Sequence, residues 1–408
     1  MLKLEDVVIP MRENNVYHYI KSDIYKGKIL DIFDSLICEF LNDLSIHLMN
    51  TTDKKLYPDI ITFAFYIRKS NILKKKELYA NSMTRIGKGV VFHIAPSNVP
   101  INFAFSLVFG LLSGNINIVR VSKKDFKQTK IICNSINNIL DNDKYSSIKN
   151  NISIISYEHN KKITDYYSNL CDVRIIWGGD NTINEIRTSP INTRTMELTF
   201  ADRYSFSIIS AKSILDSSDE QLKRLSENFY NDTYLIDQNA CSSPHLIVWK
   251  NDVENYELLK KSKDIFWKFV YNTVKKWEIE DVYASEKYTL ACEYATIYEE
   301  IDKLERYDNY IYILNLNSIK NSTIKIKGKL GLFSQISIDS YDEIAPLLKK
   351  ETQTITYYGI VSGEIVDFIK KIGTKGVDRI VPFGKSLELD LIWDGYDIIN
   401  MLSRIIYR

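Results

Sequence analysis

Between Val90 and Val121 the chain reads VVFHIAPSNVPINFAFSLVFGLLSGNINIVRV, with no Asp, Glu or Lys and a single Arg, Arg120, next to its end. An apolar run of this length raises the question of a membrane span, which needs roughly 20 apolar residues in one unbroken helix. Pro96, Ser97, Asn98 and Pro100 interrupt the run early, and Gly110, Gly114, Asn115 and Asn117 interrupt it again. The pattern therefore predicts three short elements. GVVFHIA is rich in β-branched residues and bounded by PSNVP, which suits a strand buried on both faces. INFAFSLVFGLLSG predicts a helix ending at Gly114, and NINIVRV predicts a second strand.

Strand, loop, buried helix and strand make a βαβ unit, whose parallel pairing requires a right-handed crossover. The rhythm continues with KQTKIICNSINNIL as a helix, NISIISY as a strand, KKITDYYSNL as a helix and VRIIWGG as a strand. This repetition predicts a doubly wound α/β domain over residues 81–205. Ligands of such sheets bind beyond the carboxyl ends of the strands, where APSNVP and WGGD fall. Residues 1–80 hold charged segments with helical spacing and read as a helical region packed on the body. There Ile29, Ile32, Phe33, Leu36, Phe40 and Leu44 align as one apolar stripe.

Composition narrows the function classes. At 408 residues and 45% hydrophobic, the chain is long enough for two or three domains with cores. Its 53 Lys and Arg against 52 Asp and Glu leave no global pull toward nucleic acid or anionic lipid. Cys38, Cys133, Cys171, Cys241 and Cys292 are scattered and lack the close pairings of metal sites or disulfide frameworks, so they read as free thiols. The opening MLKLEDVVIPMREN mixes charge into its first residues, unlike a secretory signal, and the expected location is cytoplasmic.

HIAPSNVP followed by SLVFGLLSGNINIVRVSK, then DQNACSSPHL and VDRIVPFGKSLELDLIWDGYD, resembles the acyl-CoA reductase family, best known from the fatty acid reductases of bacterial luminescence. That family is a branch of the aldehyde dehydrogenase superfamily. The motifs occur in the family's order from about residue 80 onward. The resemblance implies an aldehyde dehydrogenase-like fold: the dinucleotide-binding domain, a second α/β catalytic domain over 206–376 carrying a cysteine nucleophile, and a closing segment, 377–408, that returns to the first domain or to a neighbouring subunit.

Cys241 lies among small and polar residues, whereas Cys133 lies in the apolar run KIICNSI. Free cysteines are more often inert packing; the resemblance makes Cys241 the nucleophile and leaves the other four structural. Asn98, in Pro-x-Asn-x-Pro, is implied as the side-chain donor to the oxyanion, the alternative being support of the turn between the prolines. Glu197 matches the superfamily's Glu-Leu-Gly-Gly position, but this chain has ELTF without the glycines. Its expected role is a base for Cys241 and its alternative a surface carboxylate.

For the cofactor, NAD-preferring relatives carry a Lys and, three residues on, a Glu at the end of the second strand, where this chain has Arg120 and Lys123. Cations there attract a ribose 2′-phosphate and favour NADPH; the alternative is a solvated strand end. Gly178 and Gly179 fall where the superfamily approaches the nucleotide phosphates, with a simple tight turn as their alternative, and Ser97 joins this cofactor-binding set. His93, alone in an apolar strand, reads as a core residue. Asp390, Asp394 and Asp397 belong to a structural C-terminal signature.

Together these features imply NADPH-dependent reduction of an acyl thioester, acyl-CoA or acyl-enzyme, to an aldehyde through an acyl-cysteine. The alternatives are aldehyde oxidation by the same chemistry in reverse, and an acyl-carrying subunit without turnover. The implied partners are the acyl thioester substrate, an acyl-protein synthetase or acyltransferase, and further copies of the chain. Neither nucleic acid nor a membrane span is expected.

Overall fold

The apolar stretch resolves into the strand Val90–Ile94, the helix Asn102–Leu112 and the strand Ile116–Arg120 in a computed structural model that describes residues 16–53, 55–80, 83–276 and 279–407. Every residue of that helix from Phe103 to Leu112 is buried, which is why its sequence lacks a polar stripe. Gly114 ends the segment at φ 80°, and a Cβ there would lie 2.1 Å from the Leu30 carbonyl oxygen. Among the described residues no helix is long and apolar enough to cross a membrane. The opening residues read for a secretory signal lie outside those described.

The described chain forms two compact units, one ending at Ala201 and regaining the segment from Tyr396 onward, the other spanning Asp202–Gly395. The first is built on a six-stranded sheet in the order Tyr17–Ile20, Ile152–Ser156, Ile116–Arg120, Val90–Ile94, Val173–Trp177, Met196–Phe200. The last five are parallel and only the Tyr17–Ile20 edge is antiparallel. In chain order the parallel strands run 3-2-1-4-5, the doubly wound arrangement whose direction reverses between Val90–Ile94 and Val173–Trp177. The crossover helices Lys127–Leu140 and Lys161–Leu170 coincide with the segments predicted from periodicity.

Near the N-terminus the expected apolar stripe is cut short. The helix is Ser35–Thr51, capped by Asp34, whose carboxylate accepts from the Leu36 and Ile37 amides, and Phe33 before it adopts φ 51°. Ile29, Ile32 and Phe33 therefore precede the helix, and Ile37, Phe40, Leu41, Leu44 and Leu48 form its buried face.

His93 is the core residue that its apolar surroundings predicted. Asn117 donates from Nδ2 to the Asn115 carbonyl, so its Oδ1 faces His93 Nε2 at 3.0 Å and must accept. The neutral ring then accepts at Nδ1 from Ser106 Oγ at 2.8 Å, and Ser106 accepts from the Trp177 indole N–H at 3.0 Å. Burial pushes the His93 pKa down to about 4.

The second unit carries a seven-stranded sheet in the order Ile301–Tyr307, Ile311–Leu316, Leu332–Ile338, Leu246–Lys250, Tyr204–Ser210, Thr352–Tyr358, Arg379–Pro382, antiparallel only at the first pair. Its two faces are covered by separate apolar clusters, one around Phe206, Val248 and Ile355 and the other around Trp249, Phe266 and Phe333. The PFGKS part of the C-terminal signature is tied down by Asp232, whose carboxylate accepts from the Gly384 and Ser386 amides at 2.7 and 2.9 Å.

Candidate active site

Cys241 is presented by a short, heavily restrained connection. Ser218 and Gln221 form a capping box that starts the helix Asp219–Thr233. Past the helix, Asp237 and Gln238 adopt φ 54° and 60°, left-handed backbone without glycine, which costs roughly 1–2 kcal/mol per residue. The buried Gln238 side chain holds the distortion in place. Its amide donates to Leu332 O at 3.2 Å and its carbonyl accepts from Gly331 N–H at 2.8 Å. Ser205 Oγ donates to the Cys241 carbonyl at 2.7 Å, and Ser243 Oγ donates to Asp232 O at 2.8 Å.

The half-buried thiol lies just before the amino end of Leu246–Lys250, flanked by the parallel strands Tyr204–Ser210 and Leu332–Ile338. Its Sγ donates weakly to Asp202 Oδ1 at 4.0 Å. Burial raises the thiol pKa, and the Asp202 and Asp394 charges add to that, while the Arg203 backbone and Lys327 oppose it. Cys241 rests as a thiol that needs help to ionise. His245 is not that help. Its buried ring stacks on Tyr204 with centroids 5.7 Å apart, and its pKa is pushed down to about 4, chiefly by burial. Burial raises Cys38 to about 11 and Cys171 to about 12 and pushes Cys133 up as well.

In the first unit, three loops share the carboxyl edge of neighbouring parallel strands. Ser97 and Asn98 follow Val90–Ile94, Gly178 and Gly179 follow Val173–Trp177, and Arg120 and Lys123 end and follow Ile116–Arg120. The first two loops flank the point where the strand order reverses, the place where open α/β sheets bind ligands. Ser97 and Asn98 are exposed, and neither side chain bonds to the turn that carries it.

Gly179 precedes the helix Asp180–Arg187 with φ −68°, and a Cβ there would meet nothing within 4 Å. Neither its conformation nor its packing calls for glycine, whereas close approach of a phosphate to a helix N-terminus does. The Arg120 guanidinium lies 4.6 Å from the Tyr157 ring centroid, and its buried Nε has no hydrogen-bond partner. Lys123 pairs with Glu158 at 2.6 Å, and this contact holds the Glu158 carboxyl below its usual range. The orphaned Arg120 donor and the bare Gly179 suit a dinucleotide phosphate; Glu158 is a competitor for Lys123.

Glu197 is engaged elsewhere. It is the second residue of its strand, opposite Arg174 in register and toward the amino edge. Its Oε2 accepts from Arg174 Nε at 2.9 Å and its Oε1 from Arg187 Nε at 2.7 Å. A carboxylate with each oxygen claimed by a guanidinium is fixed in place by those contacts, which is the behaviour of an ion-pair partner and not of a base for Cys241. The Asp202, Lys327, Gln238 and Glu158 contributions had no motif to announce them.

The doubly wound first sheet and the second, cysteine-bearing α/β unit give an aldehyde dehydrogenase-like fold. Lactaldehyde dehydrogenase from Escherichia coli matches over 90% of this chain and 85% of its own, with a TM-score of 0.62 at 10% identity. A 1-pyrroline-5-carboxylate dehydrogenase mutant from Thermus thermophilus matches over 90% and 80%, with a TM-score of 0.60 at 10% identity. Within that fold, residues 69–405 match the acyl-CoA reductase (LuxC) family, and the chain belongs to it. Among its relatives, the long-chain acyl-protein thioester reductase of Photorhabdus luminescens is 23% identical over 326 residues, 78% of this chain and 63% of that protein. The enzyme of the same name from Aliivibrio fischeri is 25% identical over 306 residues, 73% of this chain and 58% of that protein. The chain thus spans about three fifths of the length of these relatives.

Proposed function

We propose that this protein reduces an acyl thioester to an aldehyde through an acyl thioester on Cys241, with NADPH as the hydride source. The observation that carries the reading is the Cys241 loop: a half-buried thiol pinned by Ser205 and by the left-handed Gln238 turn, in a chain of the acyl-CoA reductase family. The names of its relatives, long-chain acyl-protein thioester reductases, support a long acyl chain and a protein or CoA donor.

In this reading the Cys241 sulfur attacks the thioester carbonyl, a carbon–sulfur bond forms as the donor's carbon–sulfur bond breaks, and the acyl group passes to the protein. Both steps build negative charge on the carbonyl oxygen. Asn98, exposed and uncommitted to its own turn, is assigned as the side-chain donor to it, with the Cys241 backbone N–H. Arg120, Lys123, Gly178, Gly179 and Ser97 are assigned to the dinucleotide, the two cations to its 2′-phosphate. When bound, the reduced nicotinamide supplies hydride to the acyl carbon. Glu197 serves as the partner of Arg174 and Arg187. A cytoplasmic location, an acyl-transferring partner and self-association complete the reading.

The test is single-turnover acylation. Wild-type protein mixed with a long-chain acyl-CoA should gain one acyl mass at Cys241 and lose it as aldehyde when NADPH is added. Aldehyde formation by Cys241→Ala would sink the mechanism.

A further inference from the structure

Three segments converge on the edge of the second sheet where Cys241 sits. Tyr204–Ser210, Leu246–Lys250 and Leu332–Ile338 are adjacent and parallel, with the strand after Cys241 in the middle. The segments entering the outer two carry Asp202 and Lys327. Lys327 Nζ spans the gap, donating to Asp202 Oδ2 at 2.7 Å and to the Arg203 carbonyl at 3.0 Å. The other carboxylate oxygen, Oδ1, is the acceptor of the Cys241 thiol. One carboxylate therefore touches a cation with one oxygen and the nucleophile with the other.

We infer that Asp202 and Lys327 are positioning residues that set the ionisation of Cys241 with opposite signs: Lys327 holds the thiolate, and Asp202 keeps the thiol protonated at rest. This rests on Cys241 being the nucleophile. Each charge acts by a simple rule. A cation within a few ångströms favours a thiolate and an anion disfavours it. The second contact of Lys327, to the Arg203 carbonyl, keeps its ammonium at the site even when the Asp202 charge is removed. Asp394 also opposes ionisation of the thiol, while the Arg203 backbone favours it. His245 stays neutral because burial lowers its pKa.

The arrangement makes Asp202 a brake. A general base in its place would predict the reverse effect on substitution, so the two roles separate cleanly. Proton balance is simple: on ionisation the S–H bond breaks, the electron pair stays on sulfur, and the proton leaves to solvent.

The experiment is the pH profile of Cys241 alkylation by iodoacetamide in the full chain, read by peptide mass so that the exposed Cys292 is counted separately. It requires no substrate and no turnover, so its outcome is independent of whether the acyl transfer proposed above is right. Lys327→Met should move the midpoint up by roughly one pH unit and slow alkylation about tenfold below it, and Asp202→Asn should move it down by a similar amount and speed alkylation near neutrality. Lys327→Arg, which restores the cation, should return the profile to near wild type, and circular dichroism verifies the fold of each variant. Slower alkylation in Asp202→Asn overturns the inference in favour of a base. Unshifted midpoints in both charge-removing variants, or no rescue by Lys327→Arg, overturn it in favour of a purely structural pair.

Discussion

Replacing Glu158 with Gln should tighten NADPH about fivefold to tenfold and leave NADH where it is. Lys123 Nζ lies 2.6 Å from Glu158 Oε1, and the two side chains are 51% and 78% exposed. Such an exposed pair is screened by solvent and holds weakly, so breaking it to free the lysine is cheap. The larger effect is between Glu158 and the incoming 2′-phosphate. In water at physiological salt, a carboxylate about 5 Å from a phosphate dianion weakens its binding roughly fivefold. Removing the carboxylate restores that factor for NADPH alone, because NADH presents hydroxyls at the same place. Calorimetric titration of both cofactors into wild type, Glu158→Gln and Lys123→Met decides the matter. Lys123→Met should weaken NADPH and spare NADH, and both effects should shrink at high salt. Equal changes for the two cofactors, or weaker NADPH binding in Glu158→Gln, would refute the placement of the 2′-phosphate.

Asn98→Ala should lower kcat for aldehyde formation by roughly 10² to 10³ with little change in thioester affinity, and with unaltered circular dichroism because the side chain is exposed and bonds to nothing in its turn. Glu197→Gln should cost about 3 kcal/mol in urea unfolding, since it leaves the almost fully buried Arg174 short of its counter-charge; the alkylation profile of Cys241 should not move, and a shift in it would restore Glu197 as a base. Stability should fall as pH drops from about 6.5 toward 4. His93 and His245 are held neutral with folded pKa values of about 4 against 6.5 unfolded, so the unfolded chain takes up their protons first and each costs about 3 kcal/mol by the lower limit. Flat urea midpoints across that window would contradict the buried, neutral assignment of both rings.

Four strands of the first sheet were readable because they are short runs rich in β-branched residues, two of them closed by Pro or Gly, and because the helix Asn102–Leu112 is apolar all round, as burial on every face demands; the edge strands Tyr17–Ile20 and Met196–Phe200 were not. The start of the first long helix was not, because Phe33 carries an apolar side chain that fits the stripe while its backbone is left-handed and Asp34 caps the helix from Ser35 onward. The motif loops were visible as motifs, and the 3-2-1-4-5 order explains why they share an edge. Charge partners were invisible for a different reason. Glu197 and Arg174 meet only through strand register, Lys123 and Glu158 through the ends of neighbouring strands, and Lys327 meets Asp202 across 125 residues. No spacing in one chain encodes such pairs, yet they decide which carboxylate is held, which lysine is contested and which charges surround Cys241.

Whether Cys241 carries an acyl group on its way to an aldehyde is decided by following reduced nicotinamide absorbance as the protein is mixed with NADPH and acyl-CoAs of increasing chain length. NADPH oxidation should be matched by aldehyde, abolished in Cys241→Ala and strongest with long chains. Acylation of Cys241 with no NADPH or NADH consumed at any chain length would contradict this expectation and make the protein an acyl carrier.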